Sequence, residues 1–353
     1  MDILEVLKGA VTKGASDVHI AVGMKPSARI HGDIVTVDEA VLTEQDVRKG
    51  IDGIIPKSQV ERFEKGEEID CGYSLEGHGR FRVNIYHEKR GCAIAFRVIS
   101  SNIPTPEDIG LPDSILNLTK YPKGMVLVTG PTGSGKSTLL ACLIDQITRN
   151  RKAHIITIED PIEYLFDDNN CIVSQREVGV HTGSFTNALK YALRQDPDVV
   201  LVGEMRDLET ISTALTMAET GHLVFATLHT TDAAQTVDRV IDVFPAYQQQ
   251  QVRMQLSGAL RAVISQELLP TADGQGRVAA REVMIVTSAI ANLIREGHTH
   301  QIYSAIQTGK SLGMCSMENA LADLCNNGLV THEAAVAKAN NAEALKSYLK
   351  VSV

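Results

Sequence analysis

Apolar residues recur along this chain at two spacings, one suited to helices and one to strands. Ile3, Leu4, Leu7 and Ala10 share a helical face, which predicts a helix over Asp2 to Ala10. Asp17-Val18-His19-Ile20-Ala21-Val22 then alternates as a half-buried strand does, and Gly23 to Pro26 interrupts it. Ala28 to Asp33 reads as a second strand running into a turn, and Thr43-Glu44-Gln45-Asp46 as a helix start with a capping hydroxyl. A hairpin follows, Arg80 to Tyr86 paired with Ala93 to Ile99. Phe81, Val83 and Ile85 share one of its faces and Arg80, Arg82 and Asn84 the other; if His87 pairs with Cys92 across the turn, Arg82 falls opposite Arg97. Like charges side by side on paired strands are unfavourable. Two readings stay open: an anion sits between the arginines, or the face is solvated and has acidic neighbours.

The pattern changes downstream. The apolar run Met125 to Val128 ends in Thr129 and a glycine-rich turn, and Leu139 to Ile144 then has helical spacing. His154 to Ile158, Asp198 to Val202 and Gly221 to Thr231 are further strands, while Gln248 to Gln266, Ser288 to Arg295, Met317 to Asn326 and Thr331 to Ala339 read as helices. Alternating strands and helices predict an α/β fold with a buried parallel sheet, preceded by a smaller α+β domain.

At 353 residues the chain exceeds the usual single-domain size. The expected organisation is an N-terminal domain over 1–100, a linker over 101–118 whose Ser101 to Pro112 stretch holds three prolines, and a second domain with C-terminal helices over 119–353. Aromatics are scarce and Trp is absent, which suits the α/β assignment. No apolar run approaches the roughly 18 residues that span a bilayer, and Met1-Asp2-Ile3-Leu4-Glu5 lacks the basic start of a secretion signal. The expectation is a cytoplasmic protein without direct membrane insertion. The six cysteines form no C-x-x-C pair, so reduced thiols packed as small hydrophobes are expected. A net charge of -9 gives no support to nucleic acid as the main partner.

Candidate chemistry centres on Gly130-Pro131-Thr132-Gly133-Ser134-Gly135-Lys136-Ser137-Thr138, a P-loop pattern in the strand, turn and helix context it requires. Its glycines permit a ring of inward N–H groups, Lys136 adds charge at the β and γ phosphates, and Ser137 offers a hydroxyl to Mg²⁺. Glu159, Asp160 and Glu163 follow the second strand at its carboxyl end, the edge where open α/β sheets bind ligands, although acids there also cap helices. The third strand delivers Glu204, a candidate to orient and deprotonate water, with Gly203 where many P-loop enzymes place a metal-binding Asp. That departure moves metal contacts toward Ser137, water or the Glu159 to Glu163 cluster. Arg194 and Arg206 flank the strand; they neutralise phosphate or pair with neighbouring acids. The fourth strand has His222 at one end and His229 at the other, the latter placed to read a γ phosphate.

Taken together, Gly130 to Thr138, Ile158 to Glu163, Leu193 to Asp207 and Thr220 to Thr231 resemble the Walker A, Asp box, Walker B and His box of secretion-type hexameric ATPases. The short N-terminal region, the absence of a tetracysteine motif and Ala289-Ile290-Ala291-Asn292-Leu293-Ile294-Arg295-Glu296, similar to A-I-R-N-L-I-R-E, point to the type IV pilus retraction subgroup. Ala291 replaces the first arginine of that element. The resemblance implies a PAS-like N-terminal domain, a RecA-like P-loop ATPase domain, and a homohexamer that binds ATP and Mg²⁺ at its interfaces. It implies that Arg82 and Arg97 reach toward the nucleotide, that Glu163 and Ser137 serve the metal, and that Gly130 to Thr138, Glu159, Asp160, His222, Arg194 and Arg206 surround the nucleotide. It also implies an inner-membrane pilus platform protein as partner, a location at the pilus base, and a possible second retraction ATPase. The rivals are a pilus-assembly or type II secretion ATPase, a nucleotide-gated scaffold that does not cycle, and a DNA translocase.

Overall fold

The computed structural model describes residues 1–30, 32–99 and 102–350. Ser101, where the expected linker begins, and His31, in the second expected strand, lie outside the described residues. The chain divides into two compact units, the first comprising Met1–Asn102, Asp160–Leu165 and Glu177–His181, the second the remainder.

Among the described residues, the first unit carries a six-stranded sheet, β1 (Ala15–Ala21), β2 (Ser27–Ile30), β3 (Asp33–Thr36), β4 (Ile69–Leu75), β5 (Gly79–Glu88) and β6 (Gly91–Ile99), in the order β3-β2-β1-β6-β5-β4. All its pairings are antiparallel. Leu7 of the helix Ile3–Thr12 packs with Val18, Ile20, Phe81, Val83, Ile85 and Phe96, so the alternating strand positions become one apolar face. Phe81 and Phe96 meet edge to face, 6.2 Å between centroids. The Thr43 hydroxyl and the Asp46 carboxylate form the expected capping box at the start of the helix Glu44–Ile54. Register follows the turn, with His87 opposite Cys92 and Arg82 opposite Arg97.

The second unit holds β7 (Gly124–Thr129), β8 (His154–Glu159), β9 (Ile172–Glu177, whose last residue groups with the first unit), β10 (Val199–Val202), β11 (Leu223–Leu228), β12 (Leu260–Pro270) and β13 (Arg277–Ile285), in the order β13-β12-β7-β11-β10-β8-β9. From β12 to β8 the neighbours are parallel. Every residue of β7, β10 and β11 is buried, as a sheet covered on both faces requires. Together the two sheets make the α/β fold with a smaller α+β unit.

One expected helix is corrected. The stretch Gln248 to Gln266 is helical only to Ala259; Leu260–Pro270 is the strand β12. Its apolar run is buried between β7 and β13, and that burial outweighs helical spacing. Residues 103–118 group with the second unit, where Leu111, Ile115 and Leu118 enter the core.

Candidate active site

β7 ends at Thr129, and the chain turns through Gly130 to Gly135 before the helix Lys136–Asn150 begins. Gly130, Gly133 and Gly135 have φ of 137°, 80° and 85°, values strained for residues with a side chain. A Cβ on Gly130 would lie 2.2 Å from the Gln266 carbonyl oxygen, whereas one on Gly133 would meet nothing within 4 Å. The turn is closely backed at its start and open at its middle. Lys136 Nζ donates to the carbonyl oxygens of Gly130 and Pro131 at 2.8 and 2.9 Å. Ser137 and Thr138 are half-buried in the first helical turn, and Pro131 is half-buried beside exposed Thr132. The Ser134 hydroxyl is buried without a hydrogen-bond partner among the described residues. The N–H groups of the helix start, an ammonium and hydroxyls fit a polyphosphate, and the hydroxyl oxygen of Ser137 fits the oxygen preference of Mg²⁺. Beside the turn lies a cavity of about 710 Å³, lined by Ile109, Gly110, Gly135, Thr138, Leu268 and Val278 among others.

The register sets the rest of this edge. Leu228 pairs with Thr129, so His229 and Gly130 leave the sheet side by side. Val202 pairs with Ala226, which puts Glu204 on the same edge. Glu204 Oε1 lies 3.1 Å from His229 Nε2 and 2.6 Å from Arg206 Nε, and Arg206 also donates to Oε2 at 2.7 Å. The Arg206 hydrogen bond holds the Glu204 carboxyl below its usual value against partial burial, with His229 adding to the effect. Glu204 is therefore an anion at neutral pH.

Gly203 has a local cause. Its N–H donates to the Ile158 carbonyl at 2.8 Å, and a Cβ would meet that oxygen at 3.1 Å and Glu159 Cα at 3.3 Å. An aspartate there would force the end of β8 to move. Glu159 is buried and accepts from Thr157 Oγ1 at 2.7 Å and Gln175 Nε2 at 3.4 Å. Arg194 is exposed after the helix Phe185–Ala192. His222 precedes β11, and its carbonyl accepts from Gly124 N–H at the start of β7. It thus occupies the edge opposite the Walker A turn, and within one chain the fold does not bring it to Lys136.

In the first unit, Arg82 and Arg97 each meet an acid, Arg82 Nε donating to Asp70 at 3.2 Å and Arg97 Nε to Asp17 at 2.9 Å. These partners relieve the like-charge pairing. Asp70's hydrogen bond holds the Arg82 guanidinium above its ordinary value, with smaller pulls from Glu163 and Asp160, so Arg82, Asp160 and Glu163 gather in this unit. The segment carrying the two acids is held there by a buried ion pair. Arg80 bonds Glu177 at 2.7 Å and donates to the Ile162 carbonyl at 2.8 Å, while Glu177 accepts from the N–H groups of Ile162 and Gly72 at 3.2 and 2.8 Å.

Sequence reading missed Glu177 and also Gln266 and Arg281, which back the Walker A turn. A glutamine, and on the neighbouring strand an arginine, inside apolar runs was the available signal.

A family model for type II/IV secretion system proteins matches residues 80–335. The chain is 49% identical over 339 residues to the type IV pilus retraction ATPase PilT of Pseudomonas aeruginosa, covering 96% of this chain and 98% of that protein. It is 48% identical over 320 residues to a twitching motility protein of Neisseria gonorrhoeae, covering 91% of this chain and 86% of the relative. The crystal structure of a pilus retraction motor PilT with bound ADP superposes with a TM-score of 0.92 at 46% identity, over 98% of this chain and 99% of that one.

Proposed function

Because the chain belongs to the type II/IV secretion system protein family, we propose that it is an ATP-hydrolysing motor that retracts type IV pili and so drives twitching motility. The reading rests above all on the edge where the Walker A turn, Glu204 and His229 leave adjacent strands. Relatives named for pilus retraction across nearly the whole chain supply the biological side.

The Walker A N–H groups and Lys136 hold the β and γ phosphates, and the adenosine enters the cavity bordered by Ile109, Leu268 and Val278. Glu204, ionised and oriented by Arg206, aligns the attacking water and takes its proton. His229, bonded to that carboxylate, reports on the γ phosphate. Mg²⁺, when bound by the Ser137 hydroxyl, would neutralise charge on the phosphate oxygens; Glu163 is assigned to the metal by the family resemblance. Arg82 and Arg97 are assigned to the phosphates by the family resemblance, as are Glu159, Asp160, His222 and Arg194 to the nucleotide's surroundings. The working form is a homohexamer at the inner-membrane pilus base, acting on a platform protein, with a second retraction ATPase as a possible companion. Among the described residues, no helix is long and apolar enough to cross a membrane.

Deletion of the gene tests the reading. Cells should keep surface pili and lose twitching, and wild type but not Lys136→Ala should restore it. Loss of the pili themselves would instead indicate an assembly or secretion motor.

A further inference from the structure

We propose that Gln266 and Arg281 are positioning residues that hold the Walker A turn in its phosphate-receiving shape and tie it to the Ile109–Gly110 segment. The inference rests on reading that turn as the phosphate site. The two residues are direct partners in the β12–β13 register, and only 2% and 9% of their respective surfaces are exposed. Gln266 Nε2 donates to the Ser134 carbonyl at 2.6 Å, inside the turn. Its Oε1 accepts from Arg281 Nε at 2.7 Å. The remaining arms of the guanidinium donate to the carbonyls of Gly110 and Ile109 at 3.0 and 2.8 Å. Arg281 thereby fixes the amide's orientation: its oxygen must face the guanidinium, so its NH₂ must face Ser134. The Gln266 backbone carbonyl meanwhile backs Gly130, leaving no room for a side chain there. The turn is thus gripped at Gly130 and at Ser134 by one residue.

Core packing alone does not explain this arrangement. Burial pushes the Arg281 guanidinium down to about 10, and a buried polar chain adds less stability than apolar side chains of the same volume. An arginine supplies what those cannot, a rigid fork spanning acceptors on separate segments. Ile109 and Gly110 also line the cavity beside the turn, so one guanidinium supports both that wall and the phosphate cradle.

Gln266→Glu separates positioning from packing. It keeps the volume and gives Arg281 a carboxylate, but turns an acceptor toward the Ser134 carbonyl. Arg281→Lys keeps the charge and loses the fork, and it carries the same test if the first variant does not fold. ADP affinity with Mg²⁺, KM and kcat for ATP, and melting temperature are measured for both variants and wild type. We expect ADP binding to weaken about tenfold or more, with KM rising more than kcat falls and melting changing little. Unchanged ADP affinity and KM, or losses that merely track a lowered melting temperature, would overturn the proposal. Failure of the wild-type protein to bind ADP would instead count against the functional reading.

Discussion

At the scale of single residues, the site's behaviour turns on how Glu204 is kept charged. Arg206 is the main cause of its lowered pKa, so Arg206→Ala should let that pKa rise. The acid limb of the kcat profile should then move to higher pH, because the base is protonated sooner as pH falls; an unmoved limb would show that Arg206 does not tune it. Gly130→Ala should abolish nucleotide binding, since the new methyl meets a backbone oxygen at 2.2 Å and the backbone is strained as well. Full ADP binding by that variant would contradict the fit described for the turn. The Walker A residues were legible in the sequence because their chemistry is contiguous. Gln266 and Arg281 were not, since their meaning comes from Ser134 and Gly110, far away in the chain.

Among elements, legibility followed burial. β7, β10 and β11 announced themselves as short apolar runs ending in polar residues, and their parallel order puts Glu204 and His229 beside the turn. β12 reads as helix in the sequence because a strand buried between two neighbours has no polar face to mark its period. β9 and β13 carried too little alternation to be separated from their surroundings, whereas β4 alternates Ile69, Cys71, Tyr73 and Leu75 with polar or small residues and its signal was simply overlooked. The Asp160–Leu165 segment was legible as a strand end but not as part of the first unit, because the Arg80–Glu177 pair that holds it joins residues distant in sequence. Glu177→Ala should leave the Arg80 guanidinium buried without its partner, costing about 3–5 kcal/mol by denaturant unfolding. Hydrogen exchange at the Ile162 and Gly72 amides should accelerate more than at the core of β10. Unchanged exchange at those amides would mean that the pair does not hold the segment.

For the molecule as a whole, stability should carry a signature of Glu282. This residue of β13 accepts from Ala233 N–H at 2.8 Å and Met317 N–H at 3.4 Å, joining the starts of two helices. It borders a cavity of about 240 Å³ shared with Asp232 and Glu318. Burial, with the neighbouring carboxylates adding to it, raises its pKa from 4.5 to about 7. Between those values the folded chain holds a proton that the unfolded chain has lost, so this group's contribution to stability declines as pH rises through that window. Glu282→Gln should flatten that part of the stability curve, and an identical curve would remove Glu282 as its source. The central claim is that ATP is hydrolysed at the Walker A edge with Glu204 as base. Its most direct test is phosphate release by Glu204→Ala beside wild type, with ATP binding measured in parallel. The account predicts retained binding and turnover lowered about 100-fold or more; release at the wild-type rate would contradict it.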